Sequence, residues 1–290
     1  MPFKFVHLTD THLVPEPQRV YGVDVRRALD AAIEDINTCH GDAAFAIITG
    51  DLTHRGDEAA YRHLAKALKR LAMPCHLVLG NHDARETFRR VFPERPCDDD
   101  GFVQYDFAMD DATGIVIDTL LQGSDRGGLC ESRLAWLAQS LEKHRDRDVH
   151  LFMHHAPCDV GIGGMDLIRL TDGRDRLRTL IARHGRVRAI YFGHLHRSLA
   201  GSWAGVPFFT LPATCYQVAL ELSRRVTVPG NEEPPAYGVV LSNAETLVVH
   251  TDRFTERGRA FLLDDPRAES ALSRDAMPSR AESEDRLTRL

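Results

Sequence analysis

The sequence contains few cysteines and no long apolar run, and both absences exclude classes of protein. Its six cysteines are Cys39, Cys75, Cys97, Cys130, Cys158 and Cys215, with no Cys-x-x-Cys pair among them. Small secreted domains use a denser disulfide framework, so we predict reduced thiols. No apolar stretch approaches the roughly 18 to 20 residues that a membrane span requires, so no membrane partner is expected. The chain enters its first predicted strand without room for a cleavable signal, and we expect a cytoplasmic protein.

Positive charge is scarcer than negative charge. The 290 residues include 36 Lys and Arg against 42 Asp and Glu, a net charge of −6. A dedicated nucleic-acid binder typically presents a basic stripe that releases counterions from phosphates, so we predict no such surface. Hydrophobic residues make up 43% and charged residues 27%, which is typical of a globular enzyme with a large core.

Five short polar clusters stand at or just past the ends of five apolar runs. The clusters are Asp10-Thr11-His12, Gly50-Asp51, Gly80-Asn81-His82-Asp83, His154-His155 and Gly193-His194-Leu195-His196. The runs before them are short and rich in β-branched or aromatic residues, which favours buried strands over helices. Ligands of open α/β sheets bind beyond the carboxyl ends of the strands, so the clusters are expected to converge on one crevice, where they can hold two metal ions.

Helical patterns alternate with strands in the first third of the chain. Helices are predicted at 25–39, with Asp24 as the N-cap, and at about 58–72, ending before Pro74. This β-α-β-α-β order predicts parallel strands joined by right-handed crossovers.

The rest of the chain adds a second component. Two strands joined by a short turn, at 102–108 and 114–118, indicate antiparallel pairing. Helices at 132–144 and 174–184 precede the two histidine-bearing strands, and three more strands are predicted at 206–211, 236–241 and 246–250.

The five clusters, in this order and each after a strand, resemble the motif set of the calcineurin-like metallophosphoesterase superfamily over about residues 3–212. Within it, the chain is most similar to the bacterial class III cyclic-nucleotide phosphodiesterases and related glycerophosphodiesterases. The residues that carry this likeness lie at 9–12, 21–22, 80–83, 152–157 and 210–214. Ala156 departs from the pattern, because many relatives have proline there.

The resemblance implies an α/β fold, a four-layer αββα sandwich with two mixed β-sheets flanked by helices. The catalytic domain is expected at 1–263, with the segment 215–235 as a rim loop or oligomerisation insertion. Residues 264–290 are charged and follow the last aromatic residue, Phe261, so we expect a surface helix or a loose tail.

The resemblance also implies a centre of two divalent or mixed-valence transition metal ions, Fe, Mn, Zn or Co. One metal would be bound by Asp10, His12, Asp51 and His196, and the second by Asp51, Asn81, His154 and His194. Asp51 would bridge, because one carboxylate has two oxygens. Two divalent ions, less the charges of Asp10, Asp51 and a bridging hydroxide, leave about one positive charge, which attracts an anionic diester.

The substrate-facing residues follow from the same likeness. His82 would stabilise the transition state or protonate the leaving alcohol, while Asp83 would orient it or buttress the loop; the alternative for His82 is a structural loop histidine. Substrate contacts are expected from Tyr21, Asn81, His82, His155 and Arg197.

Several of these positions have a structural alternative. Tyr21 can stack on a nucleobase or simply pack, and Arg197 can contact phosphate or form a surface salt bridge. Of the pair His154 and His155, strand alternation allows only one ring to enter the crevice, and we choose His154 as the ligand. His54 either lines the pocket or is exposed near a helix, and we favour exposure. His7 and His76 are expected to be structural, and the stretch 215–217 is a further candidate for substrate selection.

The predicted function is hydrolysis of small phosphodiesters, 3′,5′-cyclic nucleotides or glycerophosphodiesters, by attack of a metal-bound hydroxide. The alternatives are a nuclease or a protein or phosphomonoester phosphatase on the same core, and a non-catalytic scaffold. The acidic balance disfavours a nuclease, and the presence of every expected ligand disfavours a scaffold. A homo-oligomer, a dimer or larger, is expected by analogy with relatives.

Overall fold

The structure is a computed structural model that describes residues 2–223 and 226–255. Within these residues the helices are α1 (Val25–His40), α2 (Glu58–Leu68), α3 (Arg85–Val91), α4 (Glu131–Lys143), α5 (Gly163–Asp166) and α6 (Arg174–His184). The strands are β1 (Phe3–Leu8), β2 (Ala46–Thr49), β3 (Cys75–Val78), β4 (Tyr105–Met109), β5 (Ala112–Val116), β6 (Gly127–Gly128), β7 (Asp148–Phe152), β8 (Leu170–Asp172), β9 (Val187–Tyr191), β10 (Leu199–Trp203), β11 (Val206–Thr210), β12 (Gln217–Val218), β13 (Gly230–Asn231), β14 (Tyr237–Ser242) and β15 (Leu247–Asp252).

The first sheet has the strand order β15-β14-β1-β2-β3. Strands β1, β2 and β3 are parallel, with α1 and α2 as the crossovers, so the predicted β-α-β-α-β unit is confirmed. Asp24 caps α1 as expected, because its side chain accepts the N–H of Arg27 at 3.3 Å. Strands β14 and β15 extend the sheet in antiparallel orientation beyond β1.

The second sheet has the order β10-β11-β9-β7-β5-β4. Its four central strands are parallel and its two edge strands are antiparallel. The predicted hairpin is β4–β5, in which Met109 pairs with Ala112 across a two-residue turn. Helices α4 and α6 match their predicted bounds to within one residue.

Aromatic rings hold the two sheets face to face. The ring of Phe5 in β1 lies 5.9 Å from that of Phe152 in β7 and 5.5 Å from that of Tyr191 in β9. On the other side of the second sheet, Leu137 of α4 and Ile181 of α6 are buried in a core cluster of that sheet's residues. Buried residues of α1 and α2 belong to the core of the first sheet. The four-layer αββα sandwich is therefore confirmed.

Helix α2 differs from its predicted bounds, and the elements that were not predicted are α3, α5, β6, β8, β10, β12 and β13. Helix α2 ends at Leu68 instead of near Ala72, because the Asn37 side chain bonds Arg70 O at 2.7 Å and Ala72 N at 2.8 Å, where the helix would otherwise continue. Helix α3 was not predicted, since only Phe88 of its seven residues is buried and it shows no apolar stripe. Strand β10 was missed because it is an edge strand without a fully buried residue.

The described part of the segment 215–235 contains β12 and β13, which pair through Gln217 and Asn231. Its role as an oligomer contact stays a prediction, and the predicted tail at 264–290 lies outside the described residues. The cysteines form no disulfide within the described residues. Among the described residues, none of the helices has the length and apolar character needed to cross a bilayer.

Two buried histidines lie between the sheets, and they make stability depend on pH. His7 bonds Thr49 Oγ1 through Nε2 at 2.8 Å, and His150 bonds the Tyr191 hydroxyl through Nδ1 at 3.2 Å. Burial lowers the pKa of His7 to about 3 and that of His150 to about 4. Both values lie below the pKa of about 6.5 in an unfolded chain, so protonation favours unfolding.

We expect the free energy of unfolding to fall as pH decreases below 6.5, by about 1.4 kcal/mol per pH unit for each of these histidines. The variant His150→Phe removes one buried titrating group among aromatic neighbours, so its stability should fall less steeply with acid. Urea unfolding between pH 7.5 and 4.5 measures the slopes. The exposed His250 provides the control His250→Phe, which should keep the wild-type slope. Equal slopes in all three proteins would contradict the prediction.

Candidate metal centre

The five polar clusters meet at one edge of the sandwich. They follow β1, β2, β3, β7 and β9, and the carboxyl ends of these strands lie together because the strands run parallel within each sheet. The expected convergence is observed for all seven candidate ligands. These are Asp10, His12, Asp51, Asn81, His154, His194 and His196.

Asp51 lies at the centre of this group and is 1% exposed. Its Oδ1 lies 3.4 Å from His154 Nε2, and its Oδ2 lies 3.4 Å from His12 Nε2. The backbone N–H of His82 donates to Oδ1 at 2.9 Å. The two oxygens therefore face two separate sets of imidazoles, which is the arrangement that a bridging ligand needs.

The first set combines Asp10, His12, Asp51 and His196, whose donor atoms all lie within 4.8 Å of one another. His12 Nε2 lies 3.0 Å from His196 Nε2, and His196 Nε2 lies 3.4 Å from Asp10 Oδ1. Ring nitrogens and carboxylate oxygens thus converge on one small volume. The backbone N–H of His194 fixes Asp10 by donating to both of its oxygens at 3.1 Å.

The second set lies on the other side of Asp51. His154 Nε2 lies 3.1 Å from Asn81 Oδ1, and the His154 and His194 ring centroids are 5.0 Å apart. His194 Nε2 is buried and has no hydrogen-bond partner within the described residues. A buried polar atom without a partner is costly, so this nitrogen is suited to a ligand.

Backbone carbonyls orient the imidazoles by binding their other ring nitrogens. His154 Nδ1 donates to Thr49 O and His196 Nδ1 donates to Tyr216 O, both at 2.8 Å. This fixes the tautomer and leaves each Nε2 lone pair free to face the centre.

The charges of the centre show that its residues fit metal cations. Burial raises the pKa of Asp10, but His196 and His154 outweigh this effect and lower it to about 2. The pKa of Asp51 is also held well below its usual range by His154 and His12 against the effect of burial. Within the described residues these two buried carboxylates form ion pairs only with imidazoles. Buried anions require positive charge, and oxygen and imidazole donors suit transition metals.

The backbone of the ligand residues is strained. Asp10, His12, Asp51, His194 and His196 have φ angles of 53°, 42°, 47°, 67° and 44°. Non-glycine residues rarely adopt this left-handed region, and such residues concentrate at functional sites. The local sequence does not favour these turns, so the surrounding contacts must hold them.

Glycines allow the ligand loops to approach one another. A Cβ atom on Gly50 would lie 2.3 Å from His154 Nδ1, one on Gly80 2.2 Å from Asp51 Oδ1, and one on Gly193 2.0 Å from Thr9 Oγ1. The glycine in each of these three motifs is therefore explained by close packing around the ligands.

A cavity of about 1290 Å³ opens onto the centre. Asn81 and His82 line it beside the ligands, and Tyr21 and Tyr216 form its aromatic wall. Tyr21 is 77% exposed, and its ring meets that of Tyr216 edge to face at 4.7 Å. Tyr216 belongs to the stretch that the sequence indicated for substrate selection.

Asp83 links the loop after β2 to the loop after β3. It is buried and accepts the N–H groups of Leu52, Thr53 and Gly80 and the Tyr61 hydroxyl. Burial and then the Asp51 charge raise its pKa to about 6, against the effect of these hydrogen bonds. Asp83 does not line the cavity, so of its two expected roles its contacts match the buttress.

Two expected substrate contacts lie elsewhere. His155 is buried, bonds Thr119 Oγ1 at 2.8 Å and has its ring 4.8 Å from that of His194, so it does not line the cavity. Arg197 donates to Val218 O at 3.0 Å and lies 3.6 Å from the Glu233 carboxylate. His154 Nε2 lies 3.4 Å from Asp51 Oδ1, so the choice of His154 agrees with this geometry, although β7 already ends at Phe152, before either histidine.

Near the centre, Asp125 was missed by the sequence analysis and His54 was misjudged. Asp125 lines the cavity, and Asn81 Nδ2 donates to its Oδ1 at 3.4 Å. No motif marks this loop aspartate. The expected exposure of His54 is wrong, since its half-buried ring places Nδ1 3.1 Å from His12 Nδ1. Its place three residues after Asp51 was the available signal.

A buried carboxylate between two sets of nitrogen and oxygen donors, at the edge of an αββα sandwich, defines a binuclear metal-dependent hydrolase. The family model described as calcineurin-like phosphoesterase matches residues 3–198. The chain therefore belongs to the calcineurin-like phosphoesterase family, as the motif resemblance implied.

Similar proteins span nearly the same length. A probable cyclic nucleotide phosphodiesterase of Rhodopseudomonas palustris is 43% identical over 265 residues, covering 90% of this chain and 96% of that protein. A probable glycerophosphodiester phosphodiesterase of Arcobacter nitrofigilis is 34% identical, covering 80% of this chain and 85% of that protein. A dimetal phosphatase from Danio rerio shares the fold, with a TM-score of 0.65 at 16% identity, covering 88% of this chain and 98% of the other.

We expect the purified chain to bind about two transition metal ions and Asp51→Asn to bind about one or fewer, because the amide lacks the charge and second anionic oxygen of a bridge. Elemental analysis after reconstitution measures the stoichiometry. The exposed Asp42 supplies the control Asp42→Asn, which should retain both ions. Two tightly bound ions in Asp51→Asn would contradict the bridging assignment.

The variant Asp83→Ala should lower the free energy of unfolding by about 3 kcal/mol or more, because it leaves several buried donors without an acceptor. Denaturant unfolding of the metal-free protein measures the change. Asp99→Ala, at an exposed position, should change stability by less than about 0.5 kcal/mol. A similarly small loss in Asp83→Ala would show that the buttress is dispensable.

Proposed function

We propose that this chain hydrolyses small phosphodiesters, either 3′,5′-cyclic nucleotides or glycerophosphodiesters. The observation that carries the proposal is the buried Asp51 carboxylate, whose two oxygens face two separate donor sets beside an open cavity. The names of the R. palustris and A. nitrofigilis relatives support the same substrate classes. The proposed cofactors are two divalent or mixed-valence transition metal ions, Fe, Mn, Zn or Co, held by the seven ligands named above.

The metals, when bound, supply positive charge for the phosphoryl oxygens and lower the pKa of water that attacks phosphorus. The residues of the chain hold the groups around the substrate in position. Asn81 contributes a neutral amide whose Nδ2 is directed by Asp125, so a positive surplus is kept for the anionic substrate.

His82 is placed to handle the leaving alcohol. Its Nδ1 donates to His54 O at 2.9 Å, which leaves Nε2 as the nitrogen available in the cavity. A protonated His82 can donate from Nε2 to the departing alkoxide, which otherwise leaves as a strong base. Tyr21 and Tyr216 are the proposed contacts for the alcohol group, while His155 and Arg197 are assigned no direct contact.

The charge of the cavity wall favours diesters over monoesters. Besides the candidate ligands, the described residues that line the cavity include four carboxylates, Asp24, Asp125, Glu232 and Glu233, and one cation, Arg27. A diester carries one negative charge and a phosphomonoester nearly two at neutral pH, so the wall repels the monoester more strongly. The same carboxylates oppose a polyanionic nucleic acid, which disfavours the nuclease alternative.

Oligomerisation and location are proposed on separate grounds. The segment 215–235 exposes Leu220, Leu222 and Val226, and such apolar surface supports a contact between copies in a homo-oligomer. The absence of disulfides among the described residues supports a cytoplasmic location.

A reconstituted substrate panel tests the function. We expect kcat/KM to be higher for 3′,5′-cyclic AMP or glycerophosphodiesters than for linear dinucleotides and phosphomonoesters, and activity on bis(p-nitrophenyl) phosphate to be lost in Asp51→Asn. Full activity in that variant, or after exhaustive chelation, would reject metal-dependent hydrolysis. Preference for monoesters would favour the phosphatase alternative, and a wild type with fewer than one bound ion would favour the scaffold.

His82→Ala separates the roles of His82. We expect about 10² to 10⁴-fold loss of kcat on a diester with an alkoxide leaving group, and a much smaller loss on bis(p-nitrophenyl) phosphate, whose phenolate leaves without protonation. Retention of both metal ions in the variant serves as the control for folding. Equal losses on the two substrates would instead assign His82 to phosphoryl binding.

A further inference from the structure

The His54 loop is locked to the loop that carries His12. His12 N donates to Asp51 O at 2.8 Å, Leu13 N donates to Leu52 O at 3.2 Å, and His54 N donates to Leu13 O at 2.9 Å. These three backbone bonds set the two loops in register beyond the ends of β1 and β2. The position of His54 relative to His12 is therefore fixed by the backbone and does not depend on the side-chain contact.

The His54 ring binds the side of His12 that faces away from the centre. His12 Nε2 lies 3.0 Å from His196 Nε2 and 3.4 Å from Asp51 Oδ2, so this nitrogen belongs to the centre. Its Nδ1 then carries the proton and donates to His54 Nδ1 at 3.1 Å. For His154 and His196 a backbone carbonyl accepts the equivalent proton, whereas for His12 the acceptor is a side chain.

The same residue also holds His82. The His54 carbonyl accepts the His82 Nδ1 proton at 2.9 Å, and the two rings stack with centroids 5.1 Å apart and an interplanar angle of 14°. The His82 ring also meets the His12 ring at 4.8 Å. His54 thus contacts both a metal ligand and the proposed leaving-group acid, through different groups.

We infer that His54 is a positioning residue that fixes His12 through Nδ1 and His82 through its ring face and carbonyl. Hydrogen bonds to the distal nitrogen of a ligating histidine typically change metal affinity 10- to 100-fold, so His54 sets the affinity of the metal site to which His12 belongs. Its ring face restrains His82 in the cavity. The part concerning His82 rests on the proposed function, and the part concerning His12 does not.

Two substitutions separate the two contacts. His54→Phe keeps a ring for stacking on His82 and removes the acceptor for His12. His54→Asn places an amide oxygen near the position of Nδ1 and removes the ring. Both variants keep the backbone carbonyl that binds His82 Nδ1. The matched control is His250→Phe, because His250 is exposed on β15 far along the chain from the ligand motifs.

The experiment titrates metal-free full-length protein with Co²⁺, followed by its visible absorption, and then measures kcat on 3′,5′-cyclic AMP and bis(p-nitrophenyl) phosphate at saturating Co²⁺. We expect His54→Phe to weaken one of the two Co²⁺ sites about 10- to 100-fold and His54→Asn to stay within about threefold of wild type. His54→Asn should lose more kcat on the alkoxide-leaving substrate than on bis(p-nitrophenyl) phosphate. His250→Phe should match the wild type in every measurement.

Two results would overturn the inference. Unchanged Co²⁺ affinity in His54→Phe would show that the Nδ1 contact does not support His12, and equal losses of affinity in both variants would show a merely structural residue. A wild type that binds two Co²⁺ ions but cleaves neither substrate would reject the proposed function alone, since the Co²⁺ comparison between the variants would still decide the role of His54.

Discussion

The buried charge of Asp51 is the constraint on which the centre depends. A carboxylate at this depth is unfavourable unless positive charge or hydrogen-bond donors surround it. One oxygen receives the His82 N–H, and both face imidazoles whose outer nitrogens are already bound. The rest of the site surrounds this carboxylate with donor groups from five strand ends. These donors do not balance its negative charge, and the unbalanced charge is what enables the site to hold metal cations.

The sheets and the loops position the candidate ligands in different ways. The sheets set the coarse positions, because parallel strands end at one edge and Phe5, Phe152 and Tyr191 lock the two sheets together. The loops set the fine positions through backbone hydrogen bonds and left-handed residues, at an energetic cost that the sandwich tolerates. The residues of the candidate site therefore adopt left-handed backbone conformations that their local sequence does not favour.

This difference between sheets and loops explains how much of the structure the sequence could predict. The strand ends and their polar clusters were foreseeable, because short apolar runs followed by Asp, Asn and His carry a local signal. The set of seven candidate ligands came from the family resemblance. Helix α3 and strand β10 were not, because each lacks the apolar periodicity that burial imposes on longer elements. The contacts of His54, Asp125 and Tyr216 join loops that are distant in sequence. Local patterns could mark His54 and Tyr216 as candidates but could not predict these contacts, and no motif marked Asp125.

The three close-packed glycines have a consequence for how this centre can fail. Deleting a ligand is the obvious route, but a single added methyl group at Gly80 would lie 2.2 Å from Asp51 Oδ1, much closer than van der Waals contact allows. The loop would have to retreat, and Asn81 and His82 would move with it. Adding a side chain at one of these glycines would therefore disrupt the centre, as deleting a ligand would. The glycines are needed for the positions of the candidate ligands.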